Sequence, residues 1–260
     1  MRIELPYHRI YRPVIESHPN AGYSSWAYIV DRNYCQSGHS YVRAFLLILE
    51  DLKRIFEFIE PSPESMQTFS YRIHELFMRT CIEVEANFKA ILSENIYTPQ
   101  LDRFGNPILN MRIYRKVNST HRLSSYKVGL PQWSDSELLI LEPFKVWSES
   151  NTSPEWYQSY NKSKHDRHDN FKYANLENLL NAISGLLVLI SSQFRQEDFS
   201  AGESLMAFSG GDYYDMQSAI GSLFRIQFPT NWSDEEKYHF DWSELKNEEI
   251  RFQKFNYDEL

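Results

Sequence analysis

Between Trp156 and Phe171 the chain reads WYQSYNKSKHDRHDNF, its densest run of side chains able to move protons or hold anions. His165 contributes an imidazole, a group that ordinarily titrates near neutrality and can exchange protons at cellular pH. Lys162, Lys164 and Arg167 contribute cations that can hold a phosphate and stabilise negative charge developing on it. Asn161 can orient either partner. Two other readings of the same run stay open. His165 and His168, spaced i,i+3 beside Asp166 and Asp169, could begin a metal site, but zinc needs further ligands that only His74, His121 or Glu83 could bring. Alternatively the run is a loop that caps the helix after it, with Asp169 or Asn170 as the N-cap. No metal or cofactor is expected.

A second set of candidates lies upstream. From Arg103 to Ser134 there are six bases, Arg103, Arg112, Arg115, Lys116, Arg122 and Lys127, and no acid. Phe104, Tyr114, Tyr126 and Trp133 are interleaved with them, a mixture suited to holding phosphates and stacking nucleobases. The stretch from Asn231 onward is acidic, nine carboxylates against four bases, so the competing expectation is that tail and insertion pair with each other. The formal net charge of -8 conceals this division. Hydrophobic residues at 42% and charged residues at 24% exclude a disordered tail, a collagen-like chain and a globally basic coat protein. The 15% of aromatic residues should divide between helix cores and the basic insertion.

The elements that would position these residues are mostly helices. Phe45, Ile48, Leu49, Leu52, Ile55, Phe56 and Ile59 recur in steps of three and four, an amphipathic helix that Pro61 and Pro63 end. A second stripe, from Met66 through Phe69, Ile73, Phe77, Val84 and Phe88 to Leu92, predicts a helix from about Ser65 to Asn95. The short link between them predicts antiparallel neighbours. Residues 96–153 are punctuated by Pro99, Pro107, Gly129 and Pro131, and read as an insertion of strands and loops, with alternation at Met111 to Tyr114 and an apolar run at Leu138 to Leu141. Helix resumes at Pro154, and a last helix from about Phe171 to Phe194 is apolar all round at AISGLLVLI, which predicts a central buried position. Gly185 within it should permit a close approach.

Trp26 to Val30 reads as a strand, the stretch after Glu197 as a loop through Gly202, Gly210 and Gly211, and Leu223–Phe228 with Lys237–Trp242 as a hairpin. The expected fold is mainly α (α+β): an irregular segment at 1–39, a bundle of about four helices at 40–197 carrying the β-containing insertion, and a loop and β-hairpin tail at 198–260. Two cysteines, Cys35 and Cys81, cannot form a disulfide framework. With no signal-like N-terminal run and no apolar stretch near the ~20 residues of a membrane span, a cytoplasmic location is expected.

The run YNKSKH at Tyr160 to His165, followed by the helix ANLENLLNAISGLLVLI, resembles the HEPN superfamily of small helical bundles. RTCIEVEANFKAIL, Arg79 to Leu92, is similar to the acidic-apolar second helix of many such bacterial proteins. The resemblance covers the helices at about 40–95 and 154–197. It implies a metal-independent ribonuclease, often a toxin or phage-defence effector, with a site assembled across a homodimer. Asn161 matches the motif's polar position and His165 its histidine, whereas the motif's arginine falls on Tyr160, a departure. Under this resemblance His165 would act as acid or base in transesterification, with Lys162, Lys164 and Arg167 on the phosphorane. Arg112, Arg115, Lys116, Arg122 and Lys127 would hold RNA. The alternative is an inert interaction or assembly protein that meets a protein partner or antitoxin.

Overall fold

The computed structural model describes residues 2–15, 21–135, 137–199 and 215–260. Four helices are longer than two turns: α1 (Gly38–Phe56), α2 (Tyr71–Glu94), α3 (Glu155–His165) and α4 (Leu176–Phe194). α2 packs against α1, α3 and α4, and α4 also touches α1 and α3. The stripes of α1 and α2 enter this contact: Phe45, Ile48, Leu49 and Leu52 face Phe77, Val84 and Phe88 in one core. α4 is central, with Leu186 to Ile190 fully shielded from water. Gly185 admits the indole of Trp156, an atom of which would lie 3.1 Å from any added Cβ. The close approach therefore joins α4 to α3.

Two helices start later than their apolar periodicity predicts, for one reason. The peptide N–H groups of Leu176 and Glu177, in the first turn of α4, donate to the carbonyls of Thr68 and Met66. Segment 66–69 is drawn out of helix to satisfy these otherwise orphaned donors. α2 accordingly begins at Ser70, whose hydroxyl accepts from the Ile73 N–H at 3.2 Å. α4 is capped by Asn175, whose side chain accepts from the Asn178 N–H at 3.0 Å. The cap is thus neither Asp169 nor Asn170, and Phe171–Tyr173 forms a separate 3-10 turn.

The β component is a four-stranded antiparallel sheet in the order β2-β1-β4-β3, with β1 at Lys127–Leu130, β2 at Leu139–Leu141, β3 at Gln217–Ser218 and β4 at Arg225–Gln227. Val128 opposes Leu141 on one side and Ile226 on the other, so the insertion and the C-terminal region share one sheet. The hairpin lies one strand earlier than the alternation predicts. β4 turns back on β3, while Tyr238 makes isolated bridges to Ile3 and Val14. Tyr238 has been taken by the N-terminal segment, where its hydroxyl donates to the Ile10 carbonyl at 2.7 Å.

Two further expectations change. Trp26–Val30 contains a 3-10 turn at Ala27–Val30, because Tyr28 is buried among Tyr34, Tyr238, Phe240 and Trp242 rather than alternating across a sheet. Met111–Tyr114 is helical, capped by Asn110, and continues as helical turns to His121. Many aromatics therefore clasp the two ends of the chain, a third location beside the helix cores and the insertion. Gly202, Gly210 and Gly211 lie outside the described residues.

A candidate polyanion groove beside α3

α3 presents its residues at about 100° intervals. Tyr160 and Ser163 point inward and are buried. The remaining arc runs, in order around the helix, through Lys164, Tyr157, Asn161, His165, Gln158 and Lys162. Tyr157, Asn161 and Lys164 line an open cavity of about 440 Å³, whose other walls are Glu85 of α2, Asn110 and Arg112 of the insertion, and Ser153. The Tyr157 hydroxyl donates to the Glu85 carboxylate at 3.0 Å, and Lys89 lies 3.5 Å from the same carboxylate. Burial, reinforced by the Glu85 charge, raises the phenols of Tyr157 and Tyr160, which stay protonated. Tyr160, at the position of the motif arginine, packs against Phe77 and Tyr157. The Lys164 ammonium sits 5.1 Å from its ring centroid.

A second cavity, of about 790 Å³, shares Asn110 and Arg112 with the first and extends past Arg115 and Lys116 to Asp258. The two cavities share this wall of the insertion and are together termed the groove. The basic residues of the insertion are not equivalent. Lys116 donates to the backbone oxygens of Tyr257 at 2.9 Å and Leu260 at 2.7 Å. Arg122 is ion-paired to Glu236 and packs its guanidinium 5.4 Å from the Trp232 ring. For these two the acidic tail supplies the partner. The guanidiniums of Arg112 and Arg115 form no hydrogen bond or ion pair with any other described residue. Lys127, exposed at the start of β1, lines neither cavity.

His165, the last residue of α3, is exposed and lines neither cavity. It stands on the ridge between Asn161 and Lys162. Beyond that ridge the surroundings are aromatic: Lys162 lies 5.2 Å from the Tyr173 centroid and Arg167 5.9 Å from that of Tyr71. Asp166 leaves the helical region at φ -143° and ψ 80°, and its carboxylate caps the short turn Arg167–Asn170. That break removes His168 from the helix of His165, so the two imidazoles do not share a helical face. Among the described residues, no three His, Cys, Asp or Glu side chains gather as a metal site.

Glu85, Tyr157 and Asn110 belong to the groove but are not evident from the motif. The i,i+4 spacing of Tyr157 and Asn161 and the acidic edge of α2 were the available signals. No protein-family model, curated protein or solved structure matches the chain.

Proposed function

We propose that the protein binds RNA along this groove, with α1 to α4 as a HEPN-like bundle and the insertion as the second wall. The observation that supports the reading is the pair of unpartnered guanidiniums, Arg112 and Arg115, in a groove that also holds Lys164 and Asn161. Arg112 is exposed and Arg115 part-buried, so both guanidiniums are accessible to form charge-assisted hydrogen bonds with a phosphodiester. Planar guanidiniums suit that ligand better than point charges do. In this reading His165, on the rim, would take the 2′-hydroxyl proton as the 2′-oxygen bonds to phosphorus, or protonate the 5′-oxygen as its bond to phosphorus breaks. Lys164 would take the place of the missing arginine. A second copy of the chain would add its cations to the same strand, as the HEPN-like reading implies.

The test is RNA binding by an Arg112→Ala/Arg115→Ala double variant over a range of salt. The expected result is weaker binding and a log–log salt slope shallower by about 1.4, two single-strand phosphate contacts. An unchanged slope overturns the groove assignment. Cleavage in the presence of a chelator should vanish in His165→Ala. Equal cleavage by both proteins would remove His165 from the chemistry.

A further inference from the structure

Across the His165 ridge from the groove lies a surface that folding does not explain. Tyr71 is 70% exposed, Phe69 48% and Tyr173 37%, and none of the three belongs to the hydrophobic core. Phe171 packs against two of them, its ring centroid 4.8 Å from Tyr71 and 5.6 Å from Phe69, and it lies 5.5 Å from His74, while Tyr173 follows it by two residues in the same 3-10 turn. Leaving these rings in water forgoes the burial that holds the aromatics of the core. Large exposed apolar surfaces of this kind mark ligand sites.

The cations around the rings indicate which ligand. Arg167 lies against Tyr71, and Lys162 and Lys172 lie 5.2 and 5.5 Å from the Tyr173 centroid. Between residues 162 and 173 there are four cations and two carboxylates, and one of the carboxylates, Asp166, is engaged in capping. An apolar protein segment would gain nothing from this fringe of charge, whereas a strand of unpaired nucleotides uses both features. Its bases stack on ring faces, and its phosphates meet Lys162, Arg167 and Lys172. Lys162 stands about 60° around α3 from His165, on the side away from Asn161, so a strand leaving the groove over the ridge would reach these rings.

We infer that Tyr71, Phe171 and Tyr173 form a stacking platform that takes unpaired bases of the bound strand, making the protein selective for single-stranded over duplex RNA. The inference rests on RNA as the ligand of the groove. Duplex RNA keeps its bases paired and stacked internally, so it offers phosphates to the groove and nothing to the platform.

Fluorescence anisotropy with three labelled probes tests it: a short single-stranded RNA, the same strand with abasic central positions, and its duplex. The full chain is compared with Tyr71→Ala, Tyr71→Phe and the Arg112→Ala/Arg115→Ala pair. Tyr71 is exposed, so its substitution should leave the fold intact, which circular dichroism checks. The wild type should bind the intact strand at least about fivefold more tightly than the abasic strand or the duplex, the lower end for one stacked base. Tyr71→Ala should lose that preference without weakening on the abasic strand, and Tyr71→Phe should retain it. Wild-type affinity equal for intact and abasic strands, or Tyr71→Ala binding the intact strand normally, overturns the platform. If the arginine pair weakens every probe in that case, the groove reading stands alone. No binding of any probe by the wild type removes both.

Discussion

Two polar clusters of similar composition meet opposite fates in this molecule. At the C-terminal end of α4, Arg9 is wholly buried and fully engaged. Its Nε lies 2.6 Å from Glu94, one Nη donates to Gln193 at 2.9 Å, the other to the Gln36 carbonyl at 2.6 Å, and its guanidinium sits 4.6 Å from the Tyr41 centroid. Gln193 in turn donates to Asn87 at 3.0 Å, and the Arg9 carbonyl pairs with His121 Nε2 at 2.9 Å. At the C-terminal end of α3, Asn161, Lys164 and His165 have no such enclosure, and Arg112 across the groove has no partner among the described residues. Arg9, with each guanidinium nitrogen bonded inside the fold, holds it together. Charges without partners in the groove are open to solvent, and under the proposed function they meet the ligand. Residue type does not separate the two clusters; satisfaction does.

The comparison breaks most sharply at Arg9. Arg9→Met leaves the Glu94 carboxylate and the Gln193 amide without their partner, and loss of one member of a buried pair costs about 3–5 kcal/mol. Urea unfolding at neutral pH should show that loss. The corresponding change at the exposed cluster, His165→Ala, should move stability by less than about 0.5 kcal/mol. Comparable losses would dissolve the distinction.

His121 provides a smaller effect with a pH signature. Burial, in the main, pushes its pKa down to about 3, with Arg12 adding to the depression and the hydrogen bonds to the Arg9 and Val117 backbone opposing it. The unfolded imidazole titrates near 6.5, so as pH falls the unfolded chain takes up the proton first. The contribution of this residue is complete above about pH 6.5 and is lost as pH falls towards 3, at up to about 1.4 kcal/mol per unit. Between pH 6.5 and pH 5 the wild type should lose about 2 kcal/mol that His121→Gln does not lose. Parallel pH profiles for the two proteins would place the imidazole in contact with water.

What the sequence made legible follows from the range of the interactions. α1, α2 and α4 could be read because a stripe such as Phe45, Ile48, Leu49 and Leu52 is local and periodic. Their starts could not, since the starts depend on Met66 and Thr68 lending carbonyls to a helix more than a hundred residues away. Arg9 gave no signal, as one charge in a non-periodic segment looks solvated until Glu94 and Gln193 close over it. The candidate site was legible as chemistry and not as geometry. Asn161 and Lys164 share a cavity, while Asp166 ends the helix and leaves His165 on the rim. The six bases of the insertion looked alike in sequence and are sorted only by the tail that folds back on two of them.

The least costly substitution tests that sorting. Arg122 pairs with Glu236 on a part-exposed surface. Burial opposes ionisation of Glu236, but the Ser233 N–H and the Arg122 guanidinium outweigh it and lower its pKa. Such pairs contribute up to about 1 kcal/mol, so a double-mutant cycle of Arg122→Gln and Glu236→Gln should return a coupling in that range. Arg122 lines neither cavity of the groove. Freeing its guanidinium by Glu236→Gln should therefore leave RNA affinity unchanged, although the tail loses a negative charge. A gain in affinity would mean that the tail masks a cation the RNA uses, and Arg122 would move from the structural cluster to the binding one.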